Sequence, residues 1–564
     1  MEVLHAPGVL AELPPFAECD ADLMQQILGE AGKFVASEIA PLSRTGDEEG
    51  CTFHAGEVRS PPGFRAAYQS FWQAGWASLS SAPEDGGQGL PELLNQVLYE
   101  MLSAANHGWT MAPGLLHGAY ECLKHHGSEA LKVAYLPKIA SGEWLATMCL
   151  TEPQAGSDLG LVRTKGTPQV DGSYRVSGTK IFISGGEHDL SDNIVHLVLA
   201  RLSDAPPGPK GLSLFLVPKM LPGDSRNAVH CERIEEKMGL HGSATCVMRF
   251  DDATGWLVGE ANRGLNAMFV MMNAARLHVG LQGVGLLDAA WQKANAYAHE
   301  RRQMRAPGPR SSTEPSDLIA LHPAMRRILD TQRAWIDGGR VLAYRTALEL
   351  DVARHHPDAV RRAQAERWCS LVTPVLKAAL TQQAFAGGSE CLQVFGGHGY
   401  VREWGIEQIV RDARVAMIYE GTNEIQAIDL LVRKVLGDGG KAMGALLSEL
   451  HDTLDHNFPL DAKALQLLAD VREVTSALLK AAGQSAELPY WVADDYLRLV
   501  ALALQAWAWA QIGAALRRDG AAADVVRWSA PSQALQLWVL PEFSMRLDII
   551  RVRLAGVAVP ALAP

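Results

Sequence analysis

The sequence predicts an α+β protein that is mostly α-helical, in which a β-domain interrupts the helices. Apolar residues recur at helical spacing from about residue 20 to 140, and short strand-like runs replace them between about 145 and 255. Helical spacing returns from Gly264 onward. A chain of 564 residues is long enough for several domains. We expect four, covering residues 1–143, 144–258, 259–436 and 437–564.

The first two regions differ in residue type as well as in period. ADLMQQILGEAGKFVASEI and LPELLNQVLYEMLSAA alternate apolar and polar positions as amphipathic helices do. By contrast, ATMCLTEP, SYRVSGTKIFIS, NIVHLVLARL, GLSLFLVP and ATCVMRFDD are short, rich in β-branched and aromatic residues, and separated by Gly, Pro and Asp. VDGS (170–173) predicts a hairpin turn between two of these strands.

The second half predicts long helices with one interruption. LNAMFVMMNAARLHVGLQGVGLLDAAWQKANAYAHERR is long and amphipathic, and APGPRSSTEPSD (306–317) then indicates a surface loop because of its prolines. After GDGG (437–440) an Ala- and Leu-rich tract predicts additional helices. Core or interface positions are expected for its tryptophans: Trp491, Trp507, Trp509, Trp528 and Trp538.

Composition narrows the class of protein. A formal net charge of −12 disfavours broad nucleic-acid binding, and eight scattered cysteines without a CxxC pair are typical of thiols in a reducing compartment. The N-terminus lacks a basic start followed by an apolar run, and no stretch of about 18 uninterrupted apolar residues occurs. The ALAP end is not a peroxisomal address. We expect a cytoplasmic protein without a membrane span.

Several familiar site patterns are missing or out of context. The pairs His125-His126 and His355-His356 lack the i, i+4 spacing and acidic partner of a zinc helix, so no metal site is predicted. Neither a GxSxG elbow nor a Walker-type phosphate loop occurs. GLQGVGLLD, from Gly280, lies inside a helical pattern and follows no strand, which argues against a Rossmann domain.

Three stretches combine features that suit chemistry. MCLTEPQAGSDLG (148–160) leads a strand into a small-residue turn where phosphate or flavin carbonyl groups can approach backbone amides. QVFGGHGY (393–400) permits close backbone approach at its glycines, although a helix cap explains them equally well. MIYEGTNEIQ (417–426) places Glu420 among apolar residues, either as a base or as an acid at a helix start.

These three stretches, in this order, resemble the acyl-CoA dehydrogenase family. GTKIFISGG, EEKMGLHGSAT, HERRQ and VRDARVAMIYEGTNEIQ also look like family signatures, and the resemblance covers about residues 20 to 435. The proline-rich interruption and the extra C-terminal helices resemble a long bacterial branch that includes 3-methylmercaptopropionyl-CoA dehydrogenases. The resemblance implies an N-terminal helical domain, a central β-barrel-like domain, a C-terminal four-helix bundle and an added helical domain.

The family resemblance also implies an activity. Such proteins hold FAD non-covalently and desaturate an acyl-CoA between its α and β carbons. Glu420 matches the base that removes the weakly acidic α-proton, while hydride leaves the β-carbon for FAD and a trans-2-enoyl-CoA results. Its backbone N–H, with a ribityl hydroxyl, would stabilise the charge on the thioester oxygen.

The resemblance assigns flavin contacts to two parts of the chain. Those within one subunit are Met148, Leu150, Thr151, Gly156, Ser157, Phe182, Ser184, Thr422 and Glu424. Phe182 and Ser184 stand where many relatives carry Trp and Thr, so an aromatic wall and a hydroxyl are kept without the indole N–H.

Substrate contacts are implied as well. They are Ser157, Met272, Asn273, Arg276, Tyr419 and Gly421. Some relatives take their base from the helix around Arg276, but MMNAARLHVG offers no carboxylate there, so Glu420 has no rival. Arg276 matches an arginine near the base and the CoA arm, with a surface position as the alternative. Met271, Met272 and Asn273 are candidate walls for an acyl chain, either a thioether chain or a short, medium or long alkyl chain.

A further set of residues matches positions that reach the FAD of a neighbouring subunit. This set is Arg301, Gln303, Gln393, Gly396 and Gly397. It implies a homodimer or homotetramer, with Arg301 as the fixed cation for the pyrophosphate. Met304-Arg305 replaces the Phe-Gly that usually follows this arginine. An electron-transfer flavoprotein is the implied electron acceptor.

Two rival functions follow from the same pattern. An acyl-CoA oxidase would pass electrons to oxygen, and GGHGY is compatible with one, although EGTNEIQ favours a dehydrogenase. A DNA-binding, alkylation-response flavoprotein would also carry an extra C-terminal domain, but that domain would need a basic face. Residues after about 435 hold roughly equal numbers of acidic and basic side chains.

Overall fold

The computed structural model describes residues 1–308, 313–519 and 522–556. The predicted loop at 306–317 therefore lies partly outside the described residues, and the ALAP end lies wholly outside them. The described chain divides into two compact units, Asp22–His278 and a second formed by Met1–Ala21 with the chain from Val279 onward. The four-domain boundaries drawn from the sequence remain a prediction beside this division.

Helices open the Asp22–His278 unit, as the apolar spacing predicts. They are α2 (Ala21–Phe34), α3 (Ser43–Glu49), α4 (Phe64–Gln73), α5 (Glu92–Ala105), α6 (His107–Thr110), α7 (Leu116–His126) and α8 (Glu129–Ser141). Two short strands between α3 and α4, β1 (Thr52–His54) and β2 (Glu57–Arg59), pair antiparallel.

Seven further strands follow in the same unit. They are β3 (Leu145–Cys149), β4 (Lys165–Pro168), β5 (Tyr174–Ser184), β6 (Ile194–Arg201), β7 (Leu212–Pro218), β8 (Val229–Ile234) and β9 (Thr245–Val258). The path β6–β4–β5–β9–β7 returns to β6, so the sheet closes on itself, while β3 pairs parallel with β6 and β8 pairs with β9. The predicted β-barrel-like domain is confirmed. The turn at 170–173 joins β4 to β5, as expected.

Burial explains why two strands are apolar along their whole length. Val198 and Phe215, in β6 and β7, belong to the core inside the barrel. Their neighbours Leu197 and Leu216 belong instead to the core that includes helical residues such as Phe71. Because both faces of these strands are covered, NIVHLVLARL and GLSLFLVP carry no alternating polar face.

The second unit is built from helices. They are α1 (Ala6–Ala11), the later part of α9 (Gly264–Glu300), α10 (Pro323–His355), α11 (Ala359–Val394), α12 (Ile406–Val415), α13 (Asn423–Ile428), α14 (Lys441–His451), α15 (Pro459–Ala482), α16 (Leu488–Asp519), α17 (Ala522–Ala534) and α18 (Pro541–Leu554). A π-helical segment, Asp429–Leu436, continues α13. The three long helices pack closely, since a Cβ added to Gly283 of α9 would lie 2.8 Å from the Leu380 backbone of α11.

The C-terminal helices pack onto this bundle. Trp509 of α16 donates its indole N–H to the Ala334 carbonyl of α10 at 2.9 Å, and the rings of Trp368 and Trp507 lie 5.8 Å apart. The core prediction is confirmed for Trp507 and Trp509, whereas Trp491 and Trp538 are exposed.

One helix in this region is long and apolar enough to cross a membrane by length and composition alone. It is Leu488–Arg518, and 78% of its most apolar window is buried against the rest of the structure. Core helices of water-soluble proteins pass the same test, so the helix is weak evidence for a span.

Candidate active site

Glu420 lies in the short loop between α12 and α13, with an unusual backbone. Its φ is 56°, in the left-handed region, and Gly421 follows with φ 85°. A left-handed non-glycine residue costs about 1–3 kcal/mol and persists only where its surroundings hold it. Helix α13 begins at Asn423 with Thr422 as its N-cap, so Glu420 precedes the helix. The helix-start interpretation of Glu420 is therefore wrong, and Glu424 is the first-turn acid instead.

Two side chains hold the carbonyl groups of this loop. The Lys377 ammonium of α11, fully buried, donates to the Gly421 carbonyl at 2.8 Å and to Asn423 Oδ1 at 3.0 Å. Gln426 Nε2 donates to the Glu420 carbonyl at 2.9 Å. Charge-assisted hydrogen bonds are the stronger kind, so the buried cation fixes the loop next to the candidate base.

Asn423 extends this network into α11. Its amide donates to the Ala378 carbonyl at 3.1 Å, and its Oδ1 lies 3.3 Å from the Thr381 hydroxyl that donates to it. Thr422 caps α13 through the Ile425 N–H. A Cβ on Gly421 would lie 2.8 Å from Gln426 Nε2, so this position has little room for a side chain. The loop is thus specified by several side chains at once.

Tyr419, the predicted substrate contact before Glu420, points its hydroxyl into α9. It donates to Gln282 Oε1 at 2.5 Å. Burial raises the pKa of the Tyr419 phenol, and the negative charge of Glu420 adds to the effect. The phenol therefore stays a neutral donor at any physiological pH.

The predicted flavin strand edge lies in the other unit and is fixed by a buried ion pair. Lys180, fully buried in β5, donates to the Leu150 carbonyl and to Glu152 Oε1, both at 2.9 Å. The Ile181 N–H donates to the Thr151 carbonyl at 2.9 Å. These bonds bring Leu150 and Thr151 beside the part of β5 that leads to Phe182.

Phe182 resembles Glu420 in its backbone. It has φ 60°, lies at a register shift between β5 and β9, and leaves 60% of its side chain exposed. An exposed apolar ring on a strained backbone is unusual in a strand, and such residues cluster at ligand sites. Ser184 pairs with Thr245 of β9 two residues later. Met148 pairs with Leu197 of β6.

The turn after β3 is anchored by Glu152. Its carboxylate accepts from the Arg163 N–H at 2.7 Å and the Thr164 hydroxyl at 2.6 Å. Burial opposes ionisation, yet the Lys180 charge and these hydrogen bonds lower the pKa of Glu152 to about 2.

The tip of the same turn is open. Gly156 and Ser157 are exposed, and a Cβ added to Gly156 would meet no atom within 4 Å. An anchored turn with an open small-residue tip leaves space for a phosphate or flavin group to approach the backbone, so these residues fit FAD.

The predicted substrate residues of α9 differ in burial. Arg276 is 5% exposed and donates to Asn273 Oδ1 at 3.4 Å, whereas Met272 is half-buried and Asn273 is exposed. The alternative of a surface position for Arg276 is therefore wrong. A buried guanidinium remains charged and needs anionic or polar partners.

The residues expected to reach a neighbouring subunit all lie on the surface of the second unit. Arg301, Gln303, Gln393, Gly396 and Gly397 are exposed. Their segments meet, because Tyr297 stacks on Phe395 at 4.4 Å and bonds to His398 at 2.9 Å. Gly396 has φ 58° directly after α11, so it also serves as the helix cap that the sequence left open.

The departure at Met304-Arg305 has a local structural explanation. Met304 has φ 55° and is 78% exposed. Arg305 turns back to Asp317, whose carboxylate accepts from its guanidinium at 3.0 Å. Met304 and Arg305 are therefore held to Asp317, and the Met304 side chain lies at the surface.

Sequence reasoning missed the residues that hold the site rather than form it. These are Glu152, Lys180, Gln282, Lys377 and Gln426. A signal existed for two of them, because Lys180 and Lys377 are single cations inside apolar runs, KIFI and PVLKAAL. Buried lysines need acceptors, and such acceptors concentrate at functional loops. Within the described residues, no group of three His, Cys, Asp or Glu side chains could hold a metal ion.

Three sequence models match the chain in succession. They are acyl-CoA dehydrogenase, N-terminal domain (22–143), middle domain (147–253) and C-terminal domain (262–435). Together they cover well over half of the sequence. The chain belongs to the acyl-CoA dehydrogenase family. The family assignment makes it an oxidoreductase and confirms the resemblance drawn from its motifs.

Individual relatives within the acyl-CoA dehydrogenases agree. The chain is 43% identical over 507 residues to 3-methylmercaptopropionyl-CoA dehydrogenase of Ruegeria pomeroyi, covering 88% of this chain and 86% of that one. It is 36% identical over 460 residues to a broad-specificity linear acyl-CoA dehydrogenase of Mycobacterium tuberculosis, covering 78% and 74%. An acyl-CoA dehydrogenase of Bacillus anthracis, solved with FAD, shares the fold with a TM-score of 0.77 at 21% identity, over 97% and 92% of the two chains.

Proposed function

We propose that this acyl-CoA dehydrogenase converts an acyl-CoA to its trans-2-enoyl-CoA, with Glu420 as the base. The carboxylate takes the α-proton, and the strained, externally held backbone at Glu420 is the observation that carries this role. FAD, when bound, supplies the acceptor for the hydride that leaves the β-carbon. Lys377 and Gln426 keep the loop from relaxing, so the base is positioned before substrate arrives.

The β-domain residues would hold FAD. Leu150 and Thr151 sit on an edge fixed by Lys180, and Phe182 offers an exposed ring beside it. Gly156 and Ser157 offer an open turn to phosphate. These features support non-covalent binding of the cofactor in this unit.

The substrate and electron acceptor form the finer part of the proposal. The acyl group is proposed to be short, with 3-methylmercaptopropionyl-CoA as the leading candidate because of the 43% identical relative that bears this name. Electrons are proposed to pass to an electron-transfer flavoprotein, as the family resemblance implies. The cytoplasm is the proposed location.

Substitution of the base tests the proposal directly. We expect Glu420→Gln to bind FAD and CoA thioesters but to lose flavin bleaching by about a thousandfold or more, because the amide cannot accept the proton. Anaerobic stopped-flow absorbance with 3-methylmercaptopropionyl-CoA measures this rate. Glu403→Gln, at an exposed glutamate of the same unit, is the matched control and should bleach as the unaltered protein does.

Two outcomes would count against the proposal. Full bleaching by Glu420→Gln would place the base elsewhere. Rapid peroxide formation in air, without an electron-transfer flavoprotein, would identify an oxidase instead.

A further inference from the structure

A small polar cavity lies inside the Asp22–His278 unit. Residues of α5, of the segment 114–118 and of the first part of α9 line it, among them Gln96, Tyr99, His117, Met271 and His278. The space open to the centre of a water-sized sphere is about 10 Å³, so the cavity accepts about one water molecule or a group of one or two heavy atoms. Protein interiors are closely packed and leave few spaces as large as a water molecule.

A buried carboxylate organises one side of this cavity. Glu92, 2% exposed, accepts from Gln96 Nε2 at 2.6 Å, and His117 Nε2 lies 3.3 Å from its other oxygen. This bond fixes the orientation of the Gln96 amide, because its NH₂ group is committed to Glu92. Gln96 Oε1 therefore faces away from Glu92 as an acceptor.

Two polar atoms of the lining lack a protein partner. Among the described residues, neither Gln96 Oε1 nor His278 Nε2 has a hydrogen-bond partner, and the two side chains are 3% and 7% exposed. Buried polar atoms are nearly always paired, so atoms left open beside a cavity indicate a ligand. Burial, with a smaller contribution from His117, lowers the pKa of His278 to about 4, so its ring is neutral at physiological pH. The neutral His278 ring and the Gln96 amide favour an uncharged partner at these two atoms.

The cavity belongs to the part of the unit where substrate contacts are expected. Met271, a candidate wall for the acyl chain, lines it together with Ala274, Ala275 and His278. Met272 and Arg276, both proposed to contact acyl-CoA, lie on the same turns of α9. We propose that this cavity receives the end of the acyl chain and selects chains that carry a compact, uncharged heteroatom group. Thioether, ether and hydroxyl groups belong to this class.

This inference rests on the proposed acyl-CoA dehydrogenation and gives its substrate class. A plain alkyl end would fill the cavity but leave Gln96 Oε1 and His278 Nε2 without partners. A site built to pair with a heteroatom discriminates more strongly against the analogue that lacks it than an apolar pocket does. A thioether or ether accepts a hydrogen bond from His278, and a hydroxyl can also donate to Gln96.

Chains of matched size test the selection. We expect 3-(methylthio)propionyl-CoA and 4-hydroxybutanoyl-CoA to exceed pentanoyl-CoA in kcat/KM by about fivefold or more, with most of the difference in KM. In His278→Phe the preference for both heteroatom chains should fall to within about twofold, and in Gln96→Met the preference for 4-hydroxybutanoyl-CoA should fall. Met271→Leu, a cavity-wall change without a polar atom, should alter all three chains by a similar factor and keep the preference.

A binding measurement separates selection from chemistry. Calorimetric titration of Glu420→Gln with the same three thioesters should show the same order of Kd, since no turnover occurs. Retention of FAD and an unchanged melting temperature show that a variant is folded. If one of His278→Phe and Gln96→Met does not fold, the other still tests the preference for 4-hydroxybutanoyl-CoA.

Equal kcat/KM values for the three chains, in the wild type and in both variants, would overturn the inference. The cavity would then hold only an ordered water. Bleaching would then still occur, whereas failure of the proposed function would show as no bleaching with any thioester.

Discussion

Two residues that the motifs assign to chemistry share a left-handed backbone conformation, which residues other than glycine rarely adopt. Glu420 has φ 56° and Phe182 has φ 60°. Strain of this kind is retained where the surroundings over-determine it, and it aims a side chain that a relaxed loop would leave mobile. A buried lysine holds residues beside each position: Lys377 donates to the Gly421 carbonyl, and Lys180 donates to the Leu150 carbonyl.

Lys377 is the clearest test of this idea. In Lys377→Met the Gly421 carbonyl and Asn423 lose a charge-assisted donor, each bond being of about 1.5–3 kcal/mol. We expect flavin reduction by substrate to slow about tenfold or more. Anaerobic stopped-flow absorbance measures this rate.

The control for this prediction is Lys441→Met, at an exposed lysine of α14. It should leave the rate of flavin reduction unchanged. A Lys377→Met protein that is less stable but reduces its flavin at the wild-type rate would limit Lys377 to a structural role.

Sequence alone located Glu420 but not its geometry. The motif EGTNEIQ singles out Glu420, but not its φ of 56° or the hydrogen bonds of its loop to Gln426 and to Lys377, which lies 43 positions earlier. Similarly, periodicity predicted the helix that bears Arg276 but left its burial open, because helical spacing alone does not show what covers each face.

At the scale of elements, the strand runs predicted a β-domain and the hairpin between β4 and β5. They did not predict the order of strands or the closure of β6 on β7. Closure depends on pairings between distant segments, which local residue patterns do not record. The edge at Leu150 and Thr151 shows the same limit, since Lys180 fixes it from a strand 30 residues away.

The Glu152–Lys180 pair gives this edge a pH dependence. The pKa of Glu152 in the folded chain, about 2, lies below the ordinary glutamate value of 4.5. The ionised carboxylate therefore stabilises the fold above pH 4.5, and this stabilisation, about 3 kcal/mol, is lost as pH falls from there toward 2. We expect the wild-type melting temperature to fall more steeply between pH 5 and 3 than that of Glu152→Gln.

Melting curves across this pH window check the prediction. Glu129→Gln, at an exposed glutamate of α8 in the same unit, is the control and should follow the wild-type curve. Parallel curves for wild type and Glu152→Gln would show that the pair does not determine acid stability.

At the scale of the whole molecule, the added C-terminal helices belong to the second unit and pack against α10, α11 and α13. Helix α13 carries the end of the Glu420 loop, so the added helices support the base. The Ala- and Leu-rich composition predicted the helices but not their partners, since Ala334, which Trp509 contacts, lies 175 positions earlier.

A pair of tryptophans measures this support. Trp509→Ala removes a ring that is 1% exposed and bonded to Ala334. We expect a loss of about 3–5 kcal/mol in unfolding free energy. We also expect FAD to be released at a lower temperature than from the wild-type protein. Trp491→Ala, at a ring that is 63% exposed, should cost less than about 1 kcal/mol. Flavin fluorescence during thermal unfolding reports both. Release of FAD at an unchanged temperature in Trp509→Ala would make the added helices independent of the site.

The exposed cluster at Arg301 and Gln393 bears on assembly. Arg301 is exposed, and we expect it to contact the pyrophosphate of FAD in a neighbouring subunit. Shared sites make a distinct prediction, because two different inactive subunits can complement each other. A subunit with Glu420→Gln keeps Arg301, and a subunit with Arg301→Ala keeps Glu420.

We expect co-expression of these two variants to restore activity that neither has alone. In a mixed dimer one of the two sites combines an intact Glu420 with an intact Arg301, so purified mixed dimers should recover about half of wild-type activity. Steady-state turnover of tandem-affinity-purified mixed dimers measures this recovery, with each variant expressed alone as the control. If Arg301 instead served its own subunit, both sites of the mixed dimer would stay defective and the mixture would show no more than the summed residual activity of its parents.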